Sequence, residues 1–344
     1  MKVALVCPYD LGRFGGVQDQ TMRLASWLRD AGHDAWVVGP GRGPEGTVSV
    51  GPVTVVPANG SATPIGLAPG AVRRVAAAVR AADVVHVHEP LMPLVSLAAS
   101  MRGSIPMVGT FHADAPHAVR FGYRRLFGLT GGRVGRLGVV TAVSPVAAAP
   151  LTNVVRHRLV PNGLDIATYL DAGSPIPGRV LFIGRDDPRK GLDVFTAAAD
   201  KIAAGHTGAS FVAAGGPEKG RRGVVDLIGR IPEADKPALL ASADVFVAPN
   251  RGGESFGIAL AEAMAAGCAI VASALPAFAH VLGDAGVLVP PGDPEAVASA
   301  VLELLSDDEL RRPLGEAARS RVRRFDRSVV LDAYLDAYRD VGSG

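Results

Sequence analysis

No run of the chain approaches the ~18 consecutive apolar residues that a membrane-spanning helix requires, so any membrane association is expected to be peripheral. Cysteine is almost missing. Cys7 and Cys268 lie far apart in apolar, strand-like surroundings, which excludes a disulfide framework and points to a reduced, cytoplasmic setting. Aromatic residues are only 5% of a chain that is 48% hydrophobic. Ala, Val, Leu and Gly must therefore build the core, as they do where sheets are covered by closely packed helices. A strong net charge is absent too, the balance being +2. Met1 to Pro8 is apolar after Lys2, yet it is too short for a secretory signal and no small-residue cleavage site follows it; it reads as a first strand.

What is present is length and pattern. At 344 residues the chain exceeds what one growing core serves, and two domains of about 170 residues are expected. The small net charge hides an asymmetry: residues 1–172 hold 16 Lys and Arg against 10 Asp and Glu, a balance of +6, and the remainder carries −4. The first half is the one expected to meet anions. Arg73, Arg74 and Arg80, then Arg120, Arg124, Arg125, Arg133 and Arg136, fall in two helix-like segments that either face lipid headgroups or a phosphorylated substrate, or are solvated faces.

Short β-branched apolar runs at 3–7, 35–38, 53–56, 84–87, 107–110 and 138–142 alternate with helix-like segments such as 17–31 and 91–101. A second series at 179–183, 210–214, 225–229, 244–248, 269–272 and 286–289 alternates with helices expected around 190–204, 255–266 and 293–305. Turn chemistry near 160 and at 173–178 separates the two series and marks a linker. The fold class is α/β: two parallel sheets flanked by helices, with ligands expected outside the carboxyl ends of the strands, where two domains would face across a cleft. Residues 326–341 form a last amphipathic helix after the Arg-rich 319–324, placed to return to the first domain. Gly41-Arg42-Gly43-Pro44-Glu45-Gly46 satisfies the dinucleotide pattern, but Pro44 is badly placed and Thr47-Val48-Ser49 continues as a strand instead of a helix.

Residues 251–266 carry the strongest chemical signal. Glu254 and Glu262 stand eight residues apart across a glycine-rich turn that opens an apolar helix, roughly 12 Å apart if both lay on its axis. The amides of Ser255, Phe256, Gly257 and Ile258 lie between them, and a helix start leaves such amides for an anion. By itself the pattern fits equally a dipole partner and a solvated glutamate. A second segment adds to it. The strand 180–183 runs into a turn that carries Arg185 and Lys190, two cations suited to a departing diphosphate.

Gly15-Gly16-Val17-Gln18 after the first strand, Gly184-Arg185 with Lys190 heading the second domain, and Glu254 with seven residues before Glu262 together resemble the GT-B glycosyltransferases of the retaining family 4. Cys7-Pro8-Tyr9, Asn59-Gly60-Ser61, His88-Glu89-Pro90, Thr110-Phe111-His112, Pro188-Arg189-Lys190-Gly191 and Gly252 to Ile258 are similar to the phosphatidylinositol mannosyltransferases that use GDP-mannose. The resemblance runs nearly end to end. It implies an N-terminal acceptor-side Rossmann-like domain at 1–170, a nucleotide-sugar-binding Rossmann-like domain at 171–325, and a helix at 326–344 that crosses back.

The resemblance also implies site residues. The donor would lie on Gly15, Gly16, Arg185, Lys190, Ser255, Phe256, Gly257, Ile258 and Glu262, with Glu262 on the ribose. His112, Arg185, Lys190 and Glu254 would be catalytic, His112 and Glu254 meeting the sugar. Tyr9, Gln18, Asn59 and Arg189 would surround the inositol phosphate of the acceptor. His117 stands where the relatives carry a lysine. The stretch 61–69 lacks the arginines they have there, and Ala76 and Ala77 replace lysines of their membrane-binding helix.

Family members retain anomeric configuration, and no residue is placed as an obligate nucleophile, so front-face substitution is the expected mechanism. No Asp-x-Asp triple occurs, which favours a reaction needing neither metal nor other cofactor beyond the nucleotide-sugar donor. Three readings stand: mannosyl transfer to an inositol lipid at the inner face of the plasma membrane, a family 4 transferase with a soluble acceptor and a UDP-sugar, and a non-catalytic nucleotide-sugar-binding protein. No nucleic-acid partner is expected.

Overall fold

The structure is a computed structural model, and it describes residues 1–13, 15–58, 61–66, 68, 70–100, 105–113, 137–185 and 187–342. Asn59, His117 and the arginines at 102, 120, 124, 125, 133 and 136 lie outside the described residues. Two compact units emerge: Met1–Gly163 with Arg327–Gly344, and Leu164–Asp326. The chain divides at Gly163/Leu164, where Leu164 bridges Asp326 in parallel and donates its N–H to the Phe325 carbonyl.

In the first unit the strands are β1 (Lys2–Val6), β2 (Asp34–Gly39), β3 (Thr47–Ser49), β4 (Thr54–Ala58), β5 (Ser61–Ile65), β6 (Val84–His88), β7 (Met107–Phe111), β8 (Val139–Ala142) and β9 (Arg158–Leu159). Seven of them form one sheet in the order β3-β2-β1-β6-β7-β8-β9, and every adjacent pair is parallel. Both faces are covered, so β1, β6 and β7 are continuous apolar or fully buried runs. The run at 53–56, expected to join this sheet, instead pairs with β5 in a separate antiparallel ribbon. Among the described residues the helix expected at 91–101 covers Val95–Ser100, starting four residues late. Pro90 and Pro93 disfavour helical conformation before them, and Leu94 sits in the left-handed region at φ 61°.

The second unit holds β10 (Arg179–Ile183), β11 (Ser210–Ala214), β12 (Lys219–Arg222), β13 (Val225–Gly229), β14 (Val245–Ala248), β15 (Ala269–Ser273) and β16 (Val287–Val289), in the order β12-β13-β11-β10-β14-β15-β16. All neighbours are parallel except β12 and β13. β12 is a correction to the all-parallel reading. Its four residues are exposed, three of them cationic, so only the apolar β13 announced itself in the sequence; Lys and Arg on an edge strand also discourage further pairing. The core gathers Val180, Phe182, Phe195, Ile202, Val245, Val301 and Leu304. The Arg-rich stretch caps helices: Arg319 donates to the Ala266 carbonyl at 2.7 Å, and Arg321 to Val281 and His280 at 2.7 and 2.9 Å, pairing carbonyls that helix ends leave over.

The C-terminal helix Arg327–Gly342 belongs to the first unit and buries Val330, Tyr334, Ala337 and Tyr338. Its Tyr338 hydroxyl lies 2.7 Å from His86 Nδ1 on β6, which joins residues 252 positions apart. Tyr338→Phe removes that partner from a buried imidazole and is expected to lower the unfolding free energy by about 1–3 kcal/mol. Urea denaturation checks it; an unchanged midpoint at unchanged slope would mean the hydroxyl contributes nothing there.

Candidate active site

Strand order reverses once in each sheet. In the second unit β10 has β11 on one side and β14 on the other, so the chain leaves the two neighbouring strands β10 and β14 in opposite directions and leaves their carboxyl ends open. The segments that follow them are Gly184–Gly191 and Pro249–Gly257, which contain Arg185, Lys190, Glu254, Ser255, Phe256 and Gly257. Their backbones meet: Arg251 N–H donates to the Arg189 carbonyl at 2.8 Å. Gly191 closes the first segment at φ 75°, and a Cβ there would strike the Pro249 carbonyl. A glycine is required by both conformation and space.

Side chains from the two segments form one cluster. Lys190 pairs with the Glu254 carboxylate, and Asn250 Nδ2 donates to the same Glu254 Oε1 at 2.8 Å. Beside them Asp187 caps a short 3-10 turn, accepting from Arg189 N–H at 3.0 Å. Its carboxylate also takes the Arg189 guanidinium in a fork, Nη2 to Oδ2 at 2.6 Å. That bond holds the Asp187 carboxyl below its ordinary value and raises Arg189. Arg185 is exposed at the start of the turn.

The helix expected at 255–266 begins at Ile258 and ends at Ala266. Gly257, at φ 97°, is its N-cap and, as a glycine, supplies no side-chain cap of its own. Ser255, Phe256 and Gly257 therefore belong to the turn, and Glu254 lies before the helix, so helical rise does not measure its separation from Glu262. Phe256 is buried and packs edge-on against Phe325, centroids 5.2 Å apart, which anchors the turn. Glu262 is on the helix and 1% exposed. Lys236, at the start of the helix Lys236–Ala241, reaches both its oxygens at 3.1 and 3.2 Å and Glu233 at 2.7 Å. Burial works to lower the Lys236 ammonium, but Glu262 and Glu233 outweigh it and hold it above its ordinary value. Asn250, Lys236 and Asp187 escaped the sequence reading. Asp187 lies inside one of the two turns it singled out and Asn250 immediately before the other, whereas nothing local ties Lys236 to a glutamate 26 residues away.

In the first unit the reversal lies between β1 and β6. Gly15 is the N-cap of the helix Gly16–Asp30, which has no side-chain cap. A Cβ on Gly15 would collide with the Gln18 amide, whose Cδ stands 2.9 Å from that point. Gln18 Nε2 reaches the Asp10 carbonyl at 3.4 Å, and Tyr9 bridges Ile65. His112 follows β7 and is buried. Its Nε2 lies 2.8 Å from His88 Nδ1, and His88 stacks on His86 at 4.3 Å. His86 Nε2 is 2.6 Å from Thr110 Oγ1. Desolvation pushes His86 down to about 3, His112 down to about 4 and His88 well below its ordinary value. All three are neutral at pH 7. Burial raises the Glu89 carboxyl to about 7, against two backbone N–H groups that pull it down.

These shifts have a sign. Below pH 6.5 the unfolded chain binds protons that the three buried imidazoles refuse, so folding stability falls with falling pH; Glu89, whose folded carboxyl takes up a proton earlier than the unfolded one, partly offsets this. Between pH 6.5 and 5.5 the three imidazoles cost about 3 kcal/mol and Glu89 returns about 1, so a net loss of about 2 kcal/mol is expected. Calorimetric unfolding across that range measures it, and a thermal midpoint that does not fall would contradict the burial of the three rings.

Among the described residues, no group of three or more His, Cys, Asp or Glu is arranged to hold a metal, and no helix is long and apolar enough to cross a membrane.

Comparison with known proteins follows the same two units. Residues 14–168 match the family described as Glycosyltransferase Family 4, and residues 177–307 match that described as Glycosyl transferases group 1. The chain is 38% identical to the phosphatidyl-myo-inositol mannosyltransferase of Mycolicibacterium smegmatis, over 100% of this chain and 95% of that one. It is 34% identical to the protein of the same name from Propionibacterium freudenreichii, over 99% and 96%. The crystal structure of a glycosyltransferase from Rickettsia africae superposes with a TM-score of 0.75 at 18% identity, covering 99% of this chain and 98% of that one, a likeness of fold. The chain belongs to glycosyltransferase family 4 and has the GT-B fold, two α/β units each built on a seven-stranded, predominantly parallel sheet.

Proposed function

We propose that the chain transfers a mannosyl group from GDP-mannose to phosphatidylinositol or a similar inositol lipid, with retention of anomeric configuration. The observation that carries this reading is the end-to-end match to phosphatidyl-myo-inositol mannosyltransferases. The geometry of the second unit supports it: two basic residues, Arg185 and Lys190, and a helix start with glycine at its N-cap stand at the open ends of β10 and β14. Such donors stabilise a diphosphate as negative charge develops on it.

In this reading Lys190 exchanges Glu254 for the diphosphate when the donor arrives, and Glu254, still held by Asn250, turns its acceptor oxygens to sugar hydroxyls. Ser255 to Ile258 cradle the phosphates. Glu262 accepts from the ribose, its charge balanced by Lys236. Gly15 and Gly16 give the donor close backbone approach, and His112, neutral through burial, exchanges hydrogen bonds with the sugar without adding charge. Tyr9, Gln18, Asn59 and Arg189 serve the inositol phosphate. The C–O bond to the diphosphate breaks, the acceptor oxygen bonds to the same face, and a phosphate oxygen of the departing GDP takes the acceptor's proton. With Arg185 and Lys190 as the counter-charges, the reaction is read as metal-independent. The acceptor places the work at an anionic membrane surface, where exposed Val72 and Arg73 on the helix Ala71–Ala78 supply an apolar and a cationic contact.

Two measurements check it. A thermal-shift panel of GDP, UDP and ADP is expected to show a selective GDP shift of about 5 °C at a hundredfold excess over Kd. A UDP- or ADP-selective shift discards the GDP-mannose donor. Transfer is then assayed with GDP-mannose on phosphatidylinositol vesicles and on soluble inositol phosphate, activity on the soluble acceptor alone discarding the lipid. Lys190→Ala is expected to lower kcat/KM by about 10²-fold and to weaken GDP binding as well, because ground and transition states both carry the diphosphate. Full activity in that variant would remove Lys190 from the site.

A further inference from the structure

His112 is held from two directions by residues to which no role has been assigned. Glu89 is the first residue after β6, and His112 the first after β7, the next strand in the sheet. Glu89 lies in the left-handed region at φ 49°, unusual for a residue with a side chain and characteristic of strain kept at functional sites. Its own N–H donates to the Thr110 carbonyl at 2.8 Å. Its carboxylate turns back over the exit of β7, where Oε1 accepts the N–H of His112 and the N–H of Ala113, each at 2.7 Å. The side chain is buried, 4% exposed. Placing an acid there is expensive, since burial raises its carboxyl to about 7. Two backbone donors converging on one oxygen are what it satisfies.

The ring of His112 is held separately. His88, the last residue of β6, bonds His112 Nε2 through Nδ1 at 2.8 Å. His88 is itself fixed by stacking on His86, and its carbonyl accepts the Ser96 hydroxyl at 2.7 Å. Among the described residues His88 Nε2 is buried without a partner. A bare ring nitrogen is less costly to bury than an unpaired N–H, so the proton of His88 belongs on Nδ1 and is donated to His112. His112 is then held as the Nδ1–H tautomer.

We propose that Glu89 and His88 are positioning residues for His112: the Glu89 carboxylate fixes its backbone at the exit of β7, and His88 fixes the direction and tautomer of its ring. The inference rests on the reading that His112 meets the transferred sugar. A catalytic ring displaced by about 1 Å loses on the order of 10²-fold in rate, so the carboxylate controls turnover without touching substrate.

The test compares two variants of the full chain. Glu89→Gln keeps an oxygen for both N–H groups; Glu89→Leu keeps the volume and removes the acceptor. With GDP-mannose and phosphatidylinositol vesicles, Glu89→Gln is expected to hold kcat within about threefold of wild type, and Glu89→Leu to lower it by about 30-fold or more with GDP affinity unchanged. In a His112→Ala background Glu89→Leu should cost no more than about threefold further, because residues acting through one another are non-additive. An equal loss in both backgrounds, or no loss in either, overturns the proposal.

A second readout is independent of turnover and needs only Glu89→Gln. At about pH 9, well above the value of about 7 to which burial raises Glu89, the wild-type amide protons of His112 and Ala113 donate to a charged oxygen, so they should resonate downfield and move upfield when the acceptor becomes neutral. Unmoved amides overturn the role of Glu89, as does a ring spectrum showing His112 protonated on Nε2 for the role of His88. Wild-type protein that turns over no GDP-mannose would sink the functional reading alone, and the amide and ring spectra would still decide this one.

Discussion

Everything in the candidate site depends on the reversal of strand order in a parallel sheet. Parallel strands all deliver their carboxyl ends to one edge, and connections normally cover those ends. Between β10 and β14, and between β1 and β6, the chain departs to opposite sides, and the ends stay uncovered. Gly184–Gly191 and Pro249–Gly257 thereby become neighbours although some sixty residues separate them in the chain. The close approach of Gly191 to the Pro249 carbonyl and the bond from Arg251 to Arg189 are the backbone consequences, and the meeting of Lys190 with Glu254 is the chemical one.

The two units solve the problem of polar burial differently. In the second, each carboxylate of the site is paired with a cation: Glu254 with Lys190, Glu262 with Lys236, Asp187 with Arg189. A buried charge stripped of its partner is strongly unfavourable, so such pairs keep a site charged and ready for a ligand that offers the same pattern of charge, as a diphosphate and a ribose do. In the first unit the polar groups beneath His112 are mostly neutral. Tyr338, His86, Thr110 and Thr141 hydrogen-bond in one chain, His88 and His112 form a second hydrogen-bonded pair, and the stacking of His86 on His88 joins the two. Neutral networks of this kind rigidify a core when nearly every member is paired, and the His88 nitrogen, which has no partner among the described residues, is where this one is least balanced.

Much of the fold was legible in the sequence. Buried parallel strands must be apolar on both faces, so runs such as 3–7, 179–183 and 269–272 stand out, and helix starts are marked by glycine, as at Gly15, Gly191 and Gly257. The turn residues Arg185, Lys190 and Glu254 were legible as charges placed where strands end. The exposed, cationic β12 was not, because a strand stabilised by its neighbour instead of by burial has no apolar periodicity to betray it; the run that forms β4 was, but its pairing with β5 in a separate ribbon was not.

The sequence by itself determined an α/β chain with two sheets, the positions of its glycine turns and the residue types at the strand ends, because these follow from local conformation and from burial. Only the tertiary structure decided which charge meets which. That Arg189 turns to Asp187, that Lys236 takes Glu262, that Glu89 grips the backbone of His112 and that Tyr338 reaches His86 all depend on which strand ends lie side by side. Strand order is settled by crossover connections and packing over the whole sheet, and no local spacing encodes it.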